Sequence, residues 1–393
     1  MVDTRTRPGP IGVSERSRAP DLARGAMLLL IALANIPIYL HGRPYGLRQH
    51  IVETGLADRF VAVVTTVLID MRAYPMFAAL FAYGLVTIHR RQRAAGVAER
   101  QARRVLRRRH LLLIGFGAVH AVLLFSGDIL GLYGLLGLLV TRLLRLSDRA
   151  LLWLAAAWLP IASLLQGAAF ADTDTRPDRT MFWSFAIPDY PTAVAFRAME
   201  WLFTPVGLLA VFSAALIGVW AARHDVLTDP HRHRVLLRRT AIVGLTSMVL
   251  GGLPIGTAVG GLWTVTDPAV AYLLSALHVA TGVCGGMGYA AAIALWATRR
   301  PDRPGPVTRA LTALGRRSLS GYLAQSVAFA VLLTPPMLGM GRWIGSAQAA
   351  GIAVAVWAVT VCAAVLAERR GLRGPAEVLL RRLAYRRTGR VAG

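Results

Sequence analysis

His120 and Asp128 place an imidazole and a carboxylate eight residues apart, on either side of the turn Ser126-Gly127. Imidazole is the side chain best matched to proton exchange near neutrality. A carboxylate in reach of it would orient the ring and steady its charged form. Asp128 also stands where a residue would cap a helix starting at Ile129, and either role fits the spacing. The surroundings are apolar on both sides, from Gly117-Ala118-Val119 before the imidazole to Ile129-Leu130-Gly131-Leu132-Tyr133 after the carboxylate.

Further polar groups lie in apolar runs. Asp21 and Arg24 are three apart and share a helical face, so they can pair; a gate or phosphate contact is one reading and a carboxylate complementing the helix dipole is the other. Asn35, followed by Pro37, serves either as an interhelical hydrogen bond or as a site donor. Asp70 and Arg72 precede Tyr74-Pro75; on a regular helix they would not share a face, but Pro75 disturbs the turn before it. Ser318, Tyr322 and Gln325 form one stripe on a helix, as helix contacts or as a cavity wall. His278 is a lone histidine in another apolar run.

The elements that must hold these groups are membrane helices. Hydrophobic residues are 55% of the chain and charged residues 16%, against roughly 25% charged in soluble domains; the mean hydropathy is +0.52. About ten apolar stretches are long enough to cross a bilayer as helices, near 22–40, 60–88, 110–126, 129–146, 150–170, 202–222, 240–262, 269–297, 318–338 and 348–367. An ionisable group at the centre of such a span costs at least ~2.5 kcal/mol, which is why the polar residues above stand out. The fold class expected is all-α, a polytopic membrane bundle.

Charge sets the orientation. The net charge is +24, and all 44 basic side chains are arginine. Alternate connections and both termini hold 36 of them, the opposite connections hold 7, and Arg72 lies within a span. That asymmetry predicts both termini in the cytoplasm of a multi-pass plasma-membrane protein. Arginines flanking spans are topogenic, so nucleic acid is not an expected partner; the lipid bilayer is. In the hairpin of spans three and four, His120 is expected ~9–12 Å below the outer turn, level with Tyr133 to Leu136.

Three domains are expected: a disordered Arg-rich tail over 1–19, the helical domain over 20–370, and an amphipathic tail over 371–393 resting on the inner leaflet. Ala32-Leu33-Ala34 resembles a signal-peptidase site, but the apolar run continues to Leu40 and reads as a retained first helix. The largest outer loop, 171–200, carries Phe182 to Pro191, either dipping into the headgroups or simply exposed. Gly252, Gly256 and Gly260, with Gly282 and Gly286, signal close helix packing; the alternative at Leu253-Pro254-Ile255 is a broken helix. Cys284 and Cys362 are far apart within apolar runs, with no CxxC, so neither a disulfide framework nor a metal site is expected.

Three stretches carry a family resemblance: Asp21-Leu-Ala-Arg24-Gly25 with its apolar run to Asn35; His120 through Gly127-Asp128-Ile-Leu to Tyr133 and Gly137; and Gly315-Arg-Arg-Ser318 through Tyr322, Gln325 and Ser326, with Gly374-Pro375-Ala-Glu377. Together they resemble the YeiB-like membrane proteins, a family labelled a domain of unknown function. That family often has Lys where Arg72 stands, and Asn or Thr where Ser320-Gly321 stand. Its amino-terminal motif is in turn distantly similar to transmembrane acyltransferases such as heparan-glucosaminide acetyltransferases. The kinship implies acyl-CoA as a cytoplasmic co-substrate, with no bound cofactor, and a small-molecule or envelope acceptor on the far side. It also implies an Asn at the place of Asn35 and a loop histidine; here the loop holds His41 and His50, displaced from the expected place.

Two functions follow. In an acyltransferase His120 is the general base, Asp128 orients it, and Asn35 supports the oxyanion. Asp21, Arg24, Asp70, Arg72, Tyr133, Ser318, Tyr322 and Gln325 then form the binding groups. In a proton-coupled transporter or exporter the same residues line a path, with His120 and Asp128 as the relay. Oligomeric state is not legible.

Overall fold

The computed structural model describes residues 18–298 and 305–385, and among them the chain is all-helical with no strand. The expected tail over 1–19 lies outside these residues up to 17, as does 386–393. The helices are α1 (Arg18–Asn35), α2 (Leu56–Leu68), α3 (Ala73–Ala94), α4 (Glu99–Leu123), α5 (Ile129–Leu143), α6 (Asp148–Ala169), α7 (Tyr190–Trp201), α8 (Leu208–Arg223), α9 (Arg234–Val259), α10 (Pro268–Ala297), α11 (Pro306–Gly315), α12 (Ser318–Leu333), α13 (Ser346–Arg369) and α14 (Pro375–Tyr385). Side-chain caps mark several starts: Ser147 accepts from the Ala150 amide, Asp189 from Thr192, and Asp267 from Ala269.

The expected spans fall largely on helix, with a break inside 60–88, and α12 ends at Leu333, short of the expected 338. Among the described residues seven segments, not the ten expected, are long and apolar enough to cross a membrane: Pro20–Tyr39, Leu56–Ala94, Asp148–Ala169, Thr204–Arg223, Arg234–Val259, Pro268–Ala297 and Ser346–Arg369. The apolar helices α5 and α12 are shorter, at 15 and 16 residues, or about 22–24 Å at the helical rise. Arginines occupy much of the first half of α4. Leu164 and Leu165 on α6, Ile242 and Val243 on α9, and Val354 and Val359 on α13 face outward, as lipid-facing residues do. The chain is therefore a multi-pass membrane protein.

The stretch read as one span over 60–88 is two helices. Between α2 and α3 the amides of Ile69 and Asp70 both turn back to the Thr65 carbonyl at 2.9 Å, and Met71 adopts φ +59°. The Tyr289 hydroxyl donates to the freed Leu68 carbonyl at 2.9 Å, and Arg72 Nη1 to the Asp70 carbonyl at 2.5 Å. By contrast α9 runs unbroken through Pro254, so the break falls in a different helix from the alternative considered at Leu253 to Ile255. The glycines act in packing. Gly252, Gly256 and Gly260 lie against Val67, Val63 and Arg59, while Gly282 and Gly286 lie against the Met71 and Arg72 backbone, where a Cβ would overlap.

Two buried apolar clusters hold the bundle. The larger draws on α1, α3, α5, α8 and α10. The smaller, away from the arginine-rich end, centres on Tyr39, Phe125, Phe185 and Phe329; Tyr39 lies 5.5, 4.8 and 5.9 Å from the other three rings. Phe185 comes from the 171–200 loop, so that loop inserts an aromatic ring into the core. The few arginines at this end also have structural partners. Arg59 donates to the Gly260 carbonyl at 2.7 Å, Arg197 to Leu123 at 2.7 Å, and Arg179 to Pro37 at 2.7 Å. These carbonyls end or follow helices, where a cation is favoured.

The carboxy-terminal helix departs from expectation. α14 docks on α4 and α12, with Leu380 and Ala384 buried and Leu379 exposed. Glu377 accepts from the Leu319 amide at 2.7 Å, the Ser320 amide at 3.2 Å and the Ser320 hydroxyl at 2.5 Å. The α12 start has no side-chain cap of its own, so a carboxylate from α14 supplies one. The apolar face thus meets the bundle.

Candidate functional site

A cavity of about 780 Å³ opens at the arginine-rich end and runs inward between α1, α3, α4, α5, α12 and α14. Its mouth carries Arg24, Arg91, Arg109, Arg316, Arg317, Arg373 and Arg381 against three carboxylates, Asp21, Glu368 and Glu377. Arg24 pairs with Asp21 at 2.8 Å, as their spacing predicts. Arg316 and Arg317 both hold Glu368, at 2.5 and 2.6 Å. Positive charge exceeds negative at the mouth, which favours an anionic ligand. Leu28, Ile31, Phe77, Phe81 and Leu113 line the shaft, and Tyr133 and Tyr322 lie at its inner end.

The mouth is shaped by close backbone contact. A Cβ at Gly25 would overlap the Leu311 carbonyl, and one at Gly315 the Asp21 carbonyl. Glycine at both places lets α1 and α11 touch and sets Asp21 beside Arg316, 3.8 Å apart.

His120 and Asp128 meet. The Nδ1 to Oδ1 distance is 2.8 Å and both side chains are buried. Asp128 also caps α5, accepting from the Leu130 amide at 3.0 Å and the Gly131 amide at 2.5 Å. Both readings of Asp128 therefore hold together. The expected level of His120 needs correction. Gly117 lies against Gly131, and Gly134 against Ile114 and the His110 backbone, so His120 is level with Asp128, not with Tyr133 to Leu136. The cause is a shorter hairpin: α4 ends at Leu123, and the amides of Leu124 and Phe125 fold back onto the His120 carbonyl.

His120 does not line the cavity. Tyr322 does, with its ring 5.0 Å from the imidazole. The Tyr322 hydroxyl and His120 Nε2 are buried polar atoms without a hydrogen-bond partner. Such atoms carry a desolvation cost unless something engages them.

The other expected residues divide among three places. Asp21, Arg24, Tyr133, Ser318 and Tyr322 share the cavity. Gln325, from the same stripe, faces α13 instead and lies 3.4 Å from the Thr360 hydroxyl. Asn35 is also off the cavity; its amide oxygen accepts from the Tyr74 hydroxyl at 2.7 Å, and the Tyr133 hydroxyl donates to the Tyr74 carbonyl at 2.9 Å. Asp70 and Arg72 sit at the α2–α3 break. Their carboxylate and guanidinium do not pair with each other: Asp70 is held by Arg48 at 2.8 Å and His278 at 3.2 Å. Both loop histidines lie away from the cavity. Burial lowers His41, with Arg342, Arg179 and Arg43 adding to the fall and the Tyr39 carbonyl opposing it. Burial pushes His50 down to about 4, with Asp70 opposing and Arg48 and Arg179 reinforcing.

His110 and Arg48 were not singled out by sequence, and Glu377 only as part of the Gly374-Pro375-Ala-Glu377 motif. His110 lines the cavity, is buried, and has no partner on Nδ1. Its place beside an arginine run hid it, although its spacing of ten from His120 was there to read.

Residues 221–387 match the family described as "Protein of unknown function (DUF418)". The uncharacterized protein YxaH of Bacillus subtilis is 24% identical over 96% of this chain and 96% of its own length. The uncharacterized protein YeiB of Escherichia coli is 24% identical over 95% of this chain and 98% of its own. No solved structure matches. The matched segment includes α9 to α14, and so the α12–α14 side of the cavity, while α1 and α3 to α5 lie outside it. That segment thus resembles DUF418, and over nearly its full length the chain is similar to the uncharacterized proteins YxaH and YeiB.

Proposed function

We propose that the chain is a plasma-membrane acyltransferase that takes acyl-CoA from the cytoplasm and passes the acyl group to an extracytoplasmic or envelope acceptor. The observation that carries this reading is the cavity's course, from a cationic mouth to Tyr322, with the His120–Asp128 pair immediately behind that ring. Charge-assisted bonds from the mouth arginines suit the donor's phosphates. The apolar shaft suits its arm and acyl group. An acceptor hydroxyl attacks the thioester carbonyl; the new C–O bond forms and the C–S bond breaks. The acceptor proton passes to His120 Nε2 once the Tyr322 hydroxyl, not bonded to it in this structure, turns to bridge the two; Asp128 steadies the imidazolium, and the proton leaves with the thiolate. Asn35 then acts on Tyr74 and the wall of the site, because it does not reach the cavity. The aromatic layer around Tyr39 must part to admit an acceptor from outside.

Reconstitution with radiolabelled acetyl-CoA tests this. Binding of acetyl-CoA, with label appearing on an acceptor and lost in His120→Ala, is the expected result. No binding and no transfer across varied acceptors would remove the reading. The discontinuous α2–α3 segment, with its buried charges, favours a second reading as a proton-coupled transporter or exporter. Proton-driven uptake of a metabolite into vesicles, abolished by His120→Ala, would select it.

A further inference from the structure

The charged cluster at the α2–α3 break has no part in the acyl-transfer scheme. Arg48 donates to Asp70 Oδ2 from Nε at 3.2 Å and from Nη2 at 2.8 Å. His278 Nε2 lies 3.2 Å from the same oxygen. Arg72 Nη1 lies 3.0 Å from His278 Nδ1 and 2.7 Å from Nε2, and Nη2 donates to the Met248 carbonyl at 3.2 Å. These contacts fit a neutral His278 that donates to Asp70 through Nε2 and accepts from Arg72 through Nδ1. Two guanidinium charges therefore face one carboxylate.

That surplus charge is buried. The Arg48 side chain is 2% exposed and Arg72 is 0% exposed. Arg48 Nη1 and Arg72 Nε are buried with no hydrogen-bond partner. Arg48 also stacks on the Phe170 ring at 4.5 Å. A surplus buried cation with unused donors is still costly, and a bound anion relieves it. The 22-residue α3 begins at the same point, and its N-cap, Arg72, offers no side-chain cap. The positive end of the helix dipole adds to the field there. Asp70 is 27% exposed.

The geometry points to a small-anion site at this break, in which Arg48 Nη1 and Arg72 Nε hold an oxyanion or carboxylate group. It is separate from the cavity, whose lining includes none of Arg48, Asp70, Arg72 or His278. Asp70 keeps Arg48 in place and competes with the anion for it, which gives the site an unusual signature. Removing the Asp70 charge should tighten binding, whereas a purely structural salt bridge predicts no binding to tighten.

Inorganic phosphate and acetate are the probes, titrated into the purified full chain in nonionic detergent at constant ionic strength in sodium chloride. Calorimetry and thermal unfolding give the readouts. Saturable binding of phosphate or acetate is expected, about tenfold tighter in Asp70→Asn and about tenfold weaker in Arg48→Gln. Arg24→Gln and Arg381→Gln, at the cavity mouth, should leave it unchanged. Absence of saturable binding to the unaltered chain overturns the site. So does binding that is lost with the mouth arginines or is indifferent to Asp70→Asn. If Arg48→Gln does not fold, the unaltered chain and Asp70→Asn decide between these outcomes.

Discussion

Replacing Asp128 separates its two roles, because asparagine keeps one and alanine keeps neither. The carboxylate receives three hydrogen bonds, from His120 Nδ1 and from the Leu130 and Gly131 amides. Asp128→Ala removes a helix cap, about 1 kcal/mol, and leaves the buried imidazole N–H unpaired, about 1–3 kcal/mol. The expected loss is about 2–4 kcal/mol. Asp128→Asn retains a cap of similar quality and a neutral acceptor for His120, so it should cost only about 1 kcal/mol. Activity should split differently. Asparagine cannot stabilise an imidazolium, so acyl transfer in Asp128→Asn should fall by about a hundredfold or more despite near-normal stability. Stability would be measured by reversible unfolding in mixed micelles, with His120→Ala and the double variant completing a cycle. The reasoning fails if Asp128→Ala lies within about 0.5 kcal/mol of the unaltered chain, or if Asn and Ala are equally damaging.

Other expectations follow from the cavity and its frame. Arg24→Gln and Arg381→Gln should each weaken acetyl-CoA binding about tenfold and reduce its salt dependence, as read by calorimetry at two salt concentrations. Glu377→Ala removes the contact joining α14 to the start of α12, so trypsin should cut at Arg381 faster; an unchanged digestion profile would contradict the docking. Gly25→Ala and Gly315→Ala should destabilise by about 1–3 kcal/mol through backbone overlap, while Gly115→Ala, which meets open space, should not. His50 is held down at about 4 in the folded chain, against about 6.5 when unfolded. The unfolded state thus binds more protons between those values, and this histidine's contribution to stability falls as pH drops from about 6.5 to 4. His50→Gln should lessen the loss of thermal stability across that window.

The bundle was legible because hydrophobic runs and arginine distribution are local properties of the sequence. Asp21 with Arg24, and His120 with Asp128, could be paired because helical spacing or one short hairpin joins them. The break at Met71 was hidden inside a continuous apolar run; what holds it is Tyr289, more than two hundred residues away. The same distance hid the partnership of Asp70 with His278, while Arg48, 22 residues before it, lies in the connection between α1 and α2, whose path the sequence does not show. Gln325 shares its stripe with Tyr322 yet faces Thr360, because a helix surrounded by neighbours has several interior faces and periodicity cannot choose among them. α14 looked like a surface helix by amphipathicity alone, since a bundle and a leaflet reward the same pattern.

The entrance to the cavity has one rigid jamb and one movable one. Glycine contact at Gly25 and Gly315 brings the backbones of α1 and α11 together, with no side chain at either point that could change rotamer to admit movement. Across the opening, α14 is latched to the start of α12 by the Glu377 carboxylate and by the Ala376 amide, which donates to the Ser320 hydroxyl. Any widening is therefore directed to the α14 side, like a door hung on a fixed frame. A covalent tether from α14 to α12 would restrict the passage of bulky molecules, whereas one from α1 to α11 would fasten what already does not move.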